Sequence, residues 1–136
     1  MALVKPQSLF PGSKTFATQA LSTNADGITG ADIVDSAGCT LAAIELSSNS
    51  TDANYSLRAS IDSTANLKTV LTSTGGIITF GTTAAGISSN RIITFDPSPY
   101  EGLRYLQIMS GTTAAPIAGS TDSFAKLYFS DRNPQA

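Results

Sequence analysis

A chain of 136 residues with a formal charge of −2, no histidine and a single cysteine is sized for one domain with one hydrophobic core and no intrachain disulfide. Without histidine it lacks the residue that serine triads, most zinc and haem sites and many general bases depend on, and its eight scattered basic residues form no stripe for nucleic acid. No apolar stretch approaches the roughly 18 residues of a membrane span, and residues 1–12 lack the apolar core of a signal peptide, so folding in a reducing cytoplasm is expected.

Residues 1–12 set Pro6 and Pro11 around Leu9 and Phe10. Proline and the residue before it disfavour helix, so an extended N-terminal arm is expected. Exposed Leu and Phe are unhelpful on a free tail, and the arm is read as docking Leu3, Val4, Leu9 and Phe10 on a neighbour. From Lys14 to Leu21 a weak strand carries Phe16 and Leu21 among polar residues. Beyond it, Asn24-Ala25-Asp26-Gly27 with Asp32 and Asp35 places oxygen ligands near glycines. The alternating acids and closing glutamate of an EF-hand are missing, so these are read as loop and cap residues rather than a calcium site.

Cys39 to Leu46 is apolar with one break in its alternation, the mark of a β-bulge. Cys39 has no cationic neighbour in sequence to lower its pKa, and is read as a small core filler. Asn49-Ser50-Thr51 and Asn54-Tyr55-Ser56 match the glycosylation sequon. In a chain so rich in Ser and Thr they are read as accidental.

Asn54 to Asp62 is the cleanest strand. Tyr55, Leu57, Ala59 and Ile61 alternate strictly with Ser56, Arg58, Ser60 and Asp62, which predicts one buried and one wet face. Leu67 to Thr72 reads as a strand or a single helical turn. Ile77 to Phe80 and Ile92 to Phe95 both spell Ile-Ile-Thr-Phe, a β-prone run. Leu103 to Met109 and Phe124 to Phe129 follow, the latter with Leu127 and Phe129 inward and Lys126 and Tyr128 outward, or the reverse. Gly-Thr-Thr-Ala-Ala occurs at 81–85 and again at 111–115, a spacing too short for a solenoid. Residues 131–136 form a polar tail.

Serine and threonine supply 35 residues, which by itself would suggest disorder, but 41% of the chain is apolar and placed with strand periodicity. Glycine and proline recur at strand-length intervals. The expected fold is therefore all-β: a single antiparallel β-sandwich over residues 13–130 with about seven or eight short strands, jelly-roll-like where a topology is chosen.

Ten acidic residues are present, most of them beside Gly, Ser, Asn or Pro, where Asp caps turns. No Gly-x-Ser-x-Gly elbow occurs. A non-catalytic protein without cofactor or metal is expected, since acid–base work needs titratable groups that converge.

The stretch Phe95-Asp-Pro-Ser-Pro-Tyr100-Glu-Gly-Leu-Arg-Tyr-Leu-Gln-Ile, then Met-Ser-Gly-Thr-Thr-Ala-Ala-Pro-Ile, then a strand ending Leu127-Tyr128-Phe129 resembles small all-β virion proteins of tailed bacteriophages. It looks most like the capsid decoration, or cement, proteins of short-tailed phages. The resemblance covers about a quarter of the chain and rests on strand-and-loop texture. It implies a homo-oligomer, by preference a trimer, seated on the major capsid protein at the capsid surface of a virion assembled in the host cytoplasm. Its expected role is to stabilise the shell by bridging capsid subunits, with neither nucleic acid nor membrane as partner. Interfaces favour aromatic anchors, so the candidate contact residues are Leu3, Val4, Leu9, Phe10, Tyr55, Tyr100, Tyr105 and Tyr128. The alternative is a carbohydrate- or receptor-binding β-sandwich of a fibre or tail, although the chain has no Trp to stack on sugars.

Overall fold

The computed structural model describes residues 2–4, 7–8, 15–51, 54–80, 90–94, 100 and 102–130. These residues form two β-sheets and, among them, no α-helix. The strands are β1 (Leu3–Val4), β2 (Gln7–Ser8), β3 (Thr15–Ala20), β4 (Ile33–Asp35), β5 (Thr40–Leu46), β6 (Tyr55–Ser60), β7 (Lys68–Thr69), β8 (Thr79–Phe80), β9 (Ile92–Thr94), β10 (Tyr105–Ser110) and β11 (Phe124–Ser130). The first sheet is six-stranded, in the order β1-β4-β10-β6-β7, with β8 also paired to β6. The second is five-stranded, in the order β2-β3-β11-β5-β9. The count exceeds the seven or eight expected because the sheet edges are built from two- and three-residue strands, too short to announce themselves by alternation.

Alternation places the core. Tyr55, Leu57 and Ala59 of β6 and Leu106 and Ile108 of β10 meet Ala17 of β3, Leu41, Ile44 and Leu46 of β5, and Ala125, Leu127 and Phe129 of β11 between the sheets. Of the two readings of β11, the structure takes the one with Leu127 and Phe129 inward. Fully burying each large apolar side chain contributes about 1.5–3 kcal/mol, and the central strands β10 and β11 supply many of them.

The bulge in β5 lies where its alternation breaks. The register with β11 shifts between Tyr128, opposite Ala43, and Phe129, opposite Leu41. Ala42 is the extra residue, and skipping it returns Leu41 to the core face beside Ile44 and Leu46. The segment at 67–72 proves extended: β7 pairs with β6, and Leu71 bridges to Ile77 across a turn at 72–76.

One pairing is parallel. Leu3 and Val4 lie against Ile33 and Val34, and a few residues later Gln7 and Ser8 pair antiparallel with Phe16 and Thr15 in the other sheet. The start of the chain thus contributes an edge strand to each sheet. Asp32 ties it down, its carboxylate accepting the backbone N–H of Ala2 at 3.3 Å and of Ala20 at 2.9 Å. Val4, one of the residues expected on a neighbour, packs against the core of its own chain, while Leu3 is about half exposed.

Candidate interaction surfaces

The outer faces of the two sheets differ, and the difference decides which surface is open. On the first sheet, Ser56, Arg58 and Ser60 had the pattern of a wet face, yet Ser56 and Ser60 are buried and Arg58 is half-buried. The chain covers this face with its own loops. Gln107 Nε2 donates to Ala31 O at 3.1 Å, Arg58 Nη1 donates to Gln107 Oε1 at 2.7 Å, and Arg58 Nη2 donates to Leu67 O at 2.8 Å. This polar bridge crosses the sheet from the β3–β4 loop to the β6–β7 loop. Ser56 Oγ donates to Gly111 O at 2.7 Å and fixes a third loop. Ala31, Ile33, Leu67 and Met109 are buried outside the inter-sheet cluster. Burial holds the Arg58 guanidinium below its ordinary pKa, partly offset by the charge of Asp26.

Replacing Arg58 with Met removes both donors while keeping an apolar stem. Gln107 Oε1 and the Leu67 carbonyl then lack their partner, and a loss of about 2 kcal/mol in unfolding free energy is expected in urea. Lys in its place restores a charge but not the two-pronged geometry, and should recover less than half of that loss.

Gln19 joins the two sheets through the core. It lies on β3 of the second sheet, fully buried, and its Nε2 donates to Ile108 O at 2.9 Å while its Oε1 accepts Ile108 N–H at 2.8 Å. The need arises from β4, which pairs with β10 only at Tyr105 and Leu106. Past Leu106 the edge of β10 has lost its neighbour, and the carboxamide supplies the donor and acceptor a strand would have offered. Two residues on, Ser110 N–H donates to Gly27 O and Ser110 O accepts Ile117 N–H.

The second sheet is open among the described residues. Its outward positions form cross-strand rows, one of Phe16, Tyr128, Ala43 and Thr94 and one of Thr18, Lys126, Glu45 and Ile92. Every one of these residues is at least partly exposed, with Ile92 at 63% and nearby Phe124 at 37%. Lys126 and Glu45 are direct cross-strand partners, yet no ion pair joins them. Lys126 Nζ lies 5.3 Å from the centre of the Phe16 ring. Tyr128 Oη donates to Glu45 Oε1 at 3.0 Å, and the Phe16 and Tyr128 rings sit 6.4 Å apart.

Desolvation first, and then the bond to Glu45, raise the Tyr128 phenol above its ordinary pKa. A raised phenol contributes stability below the unfolded value of about 10, and that contribution is lost as pH rises through the folded value. Tyr128→Phe should therefore lose less stability than the wild type as pH rises above about 10, measured as the shift in denaturation midpoint.

A third feature is a groove at one end of the first sheet. Cavities of about 240 Å³ and about 500 Å³ share Ile61 and Leu103. Cys39, half-buried, lines the smaller with Ser36 and Arg104, and Asp62 and Lys68 line the larger. Arg104 Nε lies 3.5 Å from Asp35 Oδ1, and its guanidinium stacks 4.9 Å from the Tyr105 ring centre. Ile61, expected inward by alternation, is 71% exposed because β6 ends at Ser60.

The expected contact residues therefore separate. Tyr55 and Tyr100 are core residues, Tyr55 donating its hydroxyl to Thr51 O at 2.5 Å and Tyr100 packing 6.4 Å from Phe80. Tyr105 and Tyr128 are half-buried on opposite sheets. Leu9, Phe10, the first Gly-Thr-Thr-Ala-Ala copy and the tail at 131–136 lie outside the described residues. Phe16, Lys126, Glu45 and Ile92 went unremarked as contact residues in the sequence; their signal is the outward register of β3, β5, β9 and β11 read together.

The acids of the 24–35 stretch act as loop fasteners. Asp26 Oδ1 accepts Ile28 N–H and Thr29 N–H, each at 2.8 Å, and Asp26 also accepts the Thr29 hydroxyl. These bonds hold its carboxyl below the usual range. Among the described residues no three His, Cys, Asp or Glu side chains converge as metal ligands. Comparison with family models, with curated proteins and with solved structures finds no match to this chain.

Proposed function

We propose that the protein is a non-catalytic virion component with a jelly-roll sandwich, which self-associates and binds the outside of a phage capsid, bridging capsid subunits. The strand order carries this reading. Setting β1 and β2 aside and giving β7 and β8 one place, the sheets run β3-β11-β5-β9 and β4-β10-β6-β7. That order supports a reading as two interlocked Greek keys, in which strands shuttle between facing sheets. Capsid and lectin domains both use it, and the resemblance of residues 95–129 to phage decoration proteins favours the first. Such a protein adds contacts across subunit seams and needs a rigid body with no catalytic centre.

The test is binding to capsids that lack the protein, followed by their melting temperature. Saturable binding with a raised melting temperature is the expected result. Absence of binding, or a clear hit on a glycan array in its place, would overturn the reading.

A further inference from the structure

We infer that the outer face of the second sheet is where two copies of the chain meet across a two-fold axis. This rests on the self-association proposed above and names its surface and symmetry. The first sheet's outer face is closed by its own loops, whereas the second presents a cation and an anion side by side among apolar residues. Lys126 and Glu45 are cross-strand partners without an ion pair between them. Phe16, Phe124, Tyr128 and Ile92 surround them, at least partly exposed. A face with both signs at its middle is complementary to itself after a half-turn: each Lys126 meets the Glu45 of the other copy, the reciprocal pattern of an isologous contact. A three-fold arrangement would not bring this face onto itself, so the pair replaces the trimer the resemblance implies.

Strands of 2, 6, 7, 7 and 3 residues, about 4.8 Å apart with a rise of about 3.3 Å per residue, present on the order of 400 Å² per copy. That is below the roughly 800 Å² of a standard interface, and places the pair in the weak, concentration-dependent class. Several such pairs on one shell would act together through effective concentration.

The experiment is sedimentation of Lys126→Glu, Glu45→Lys and their equimolar mixture. Like charges then face each other in each single variant, and association should weaken at least about tenfold. In the mixture, the acid introduced at position 126 of one variant meets the base introduced at position 45 of the other. The unchanged Glu45 of the first meets the unchanged Lys126 of the second, so a heterodimer should form with nearly wild-type affinity. No intramolecular effect produces rescue on mixing. A wild-type oligomer that both variants reproduce would overturn this surface while leaving self-association standing. A wild-type protein that stays monomeric at high concentration would overturn both. Single variants that dimerise normally but fail to bind capsids would overturn the two-fold contact in favour of a capsid-facing sheet.

Discussion

Gln19→Leu is expected to lower the unfolding free energy by about 3 kcal/mol, read as a shift in urea midpoint with an unchanged slope. Leucine is close to glutamine in volume but ends at Cδ, so the loss combines the two hydrogen bonds with a small gap beside Ile108. Ile108 would keep its place in β10 but its N–H and C=O would face an apolar side chain, and each such buried orphan costs about 1–3 kcal/mol. Glutamate is the sharper probe. Ionised, it can accept from Ile108 N–H but sets a negative charge against Ile108 O; protonated, it can serve both. Its folded pKa would be raised, so the stability tied to it is present below the unfolded value of about 4.3 and is lost as pH rises through the folded value. Gln19→Glu should therefore be most stable in acid relative to the wild type, and a flat difference across pH would refute the bridging role.

Gly27→Ala is the second large effect, again about 3 kcal/mol or more. Gly27 has a φ of +71°, and a Cβ there would stand 2.3 Å from Ser110 O. Backbone cannot swing aside as a side chain can, so the β3–β4 loop must lift, and the bond from Ser110 N–H to Gly27 O goes with it. Gly30 is the control. Its φ is +85°, but nothing lies within 4 Å of its added Cβ. Gly30→Ala should show only the left-handed penalty of about 1 kcal/mol. Thermal denaturation of the two variants separates contact from conformation, and equal losses would mean that the loop does not bear on β10.

The all-β class and the principal strands could be read directly, because β6, β10 and β11 are long enough for period two to show. The bulge at Ala42 could be read for the same reason: one residue out of phase is visible only against a regular run. β4 could not, since Ile33, Val34 and Asp35 are all buried and three residues carry no alternation. The wet face assigned to β6 failed on a different ground. Alternation tells which side chains share a face, but the cover over Ser56 and Ser60 comes from loops distant in sequence. Contact residues fared similarly: aromaticity marked Tyr55 and Tyr100, which the core claims, while the open face is defined by the register among four strands and is invisible in any one of them.

β10 and β11, which follow the other nine described strands in chain order, occupy the middle of the two sheets. β10 lies between β4 and β6, and β11 lies between β3 and β5. During synthesis the earlier strands therefore emerge with their central partners still missing, each sheet split by an empty lane. The second sheet cannot close until Phe124–Ser130 has left the ribosome. Folding must then join segments far apart in the chain, which makes it slow for a protein of this size. A truncation inside β11 would remove the seam of a whole sheet, so an incomplete chain stays open and exposed to proteolysis and never becomes a shortened but working part.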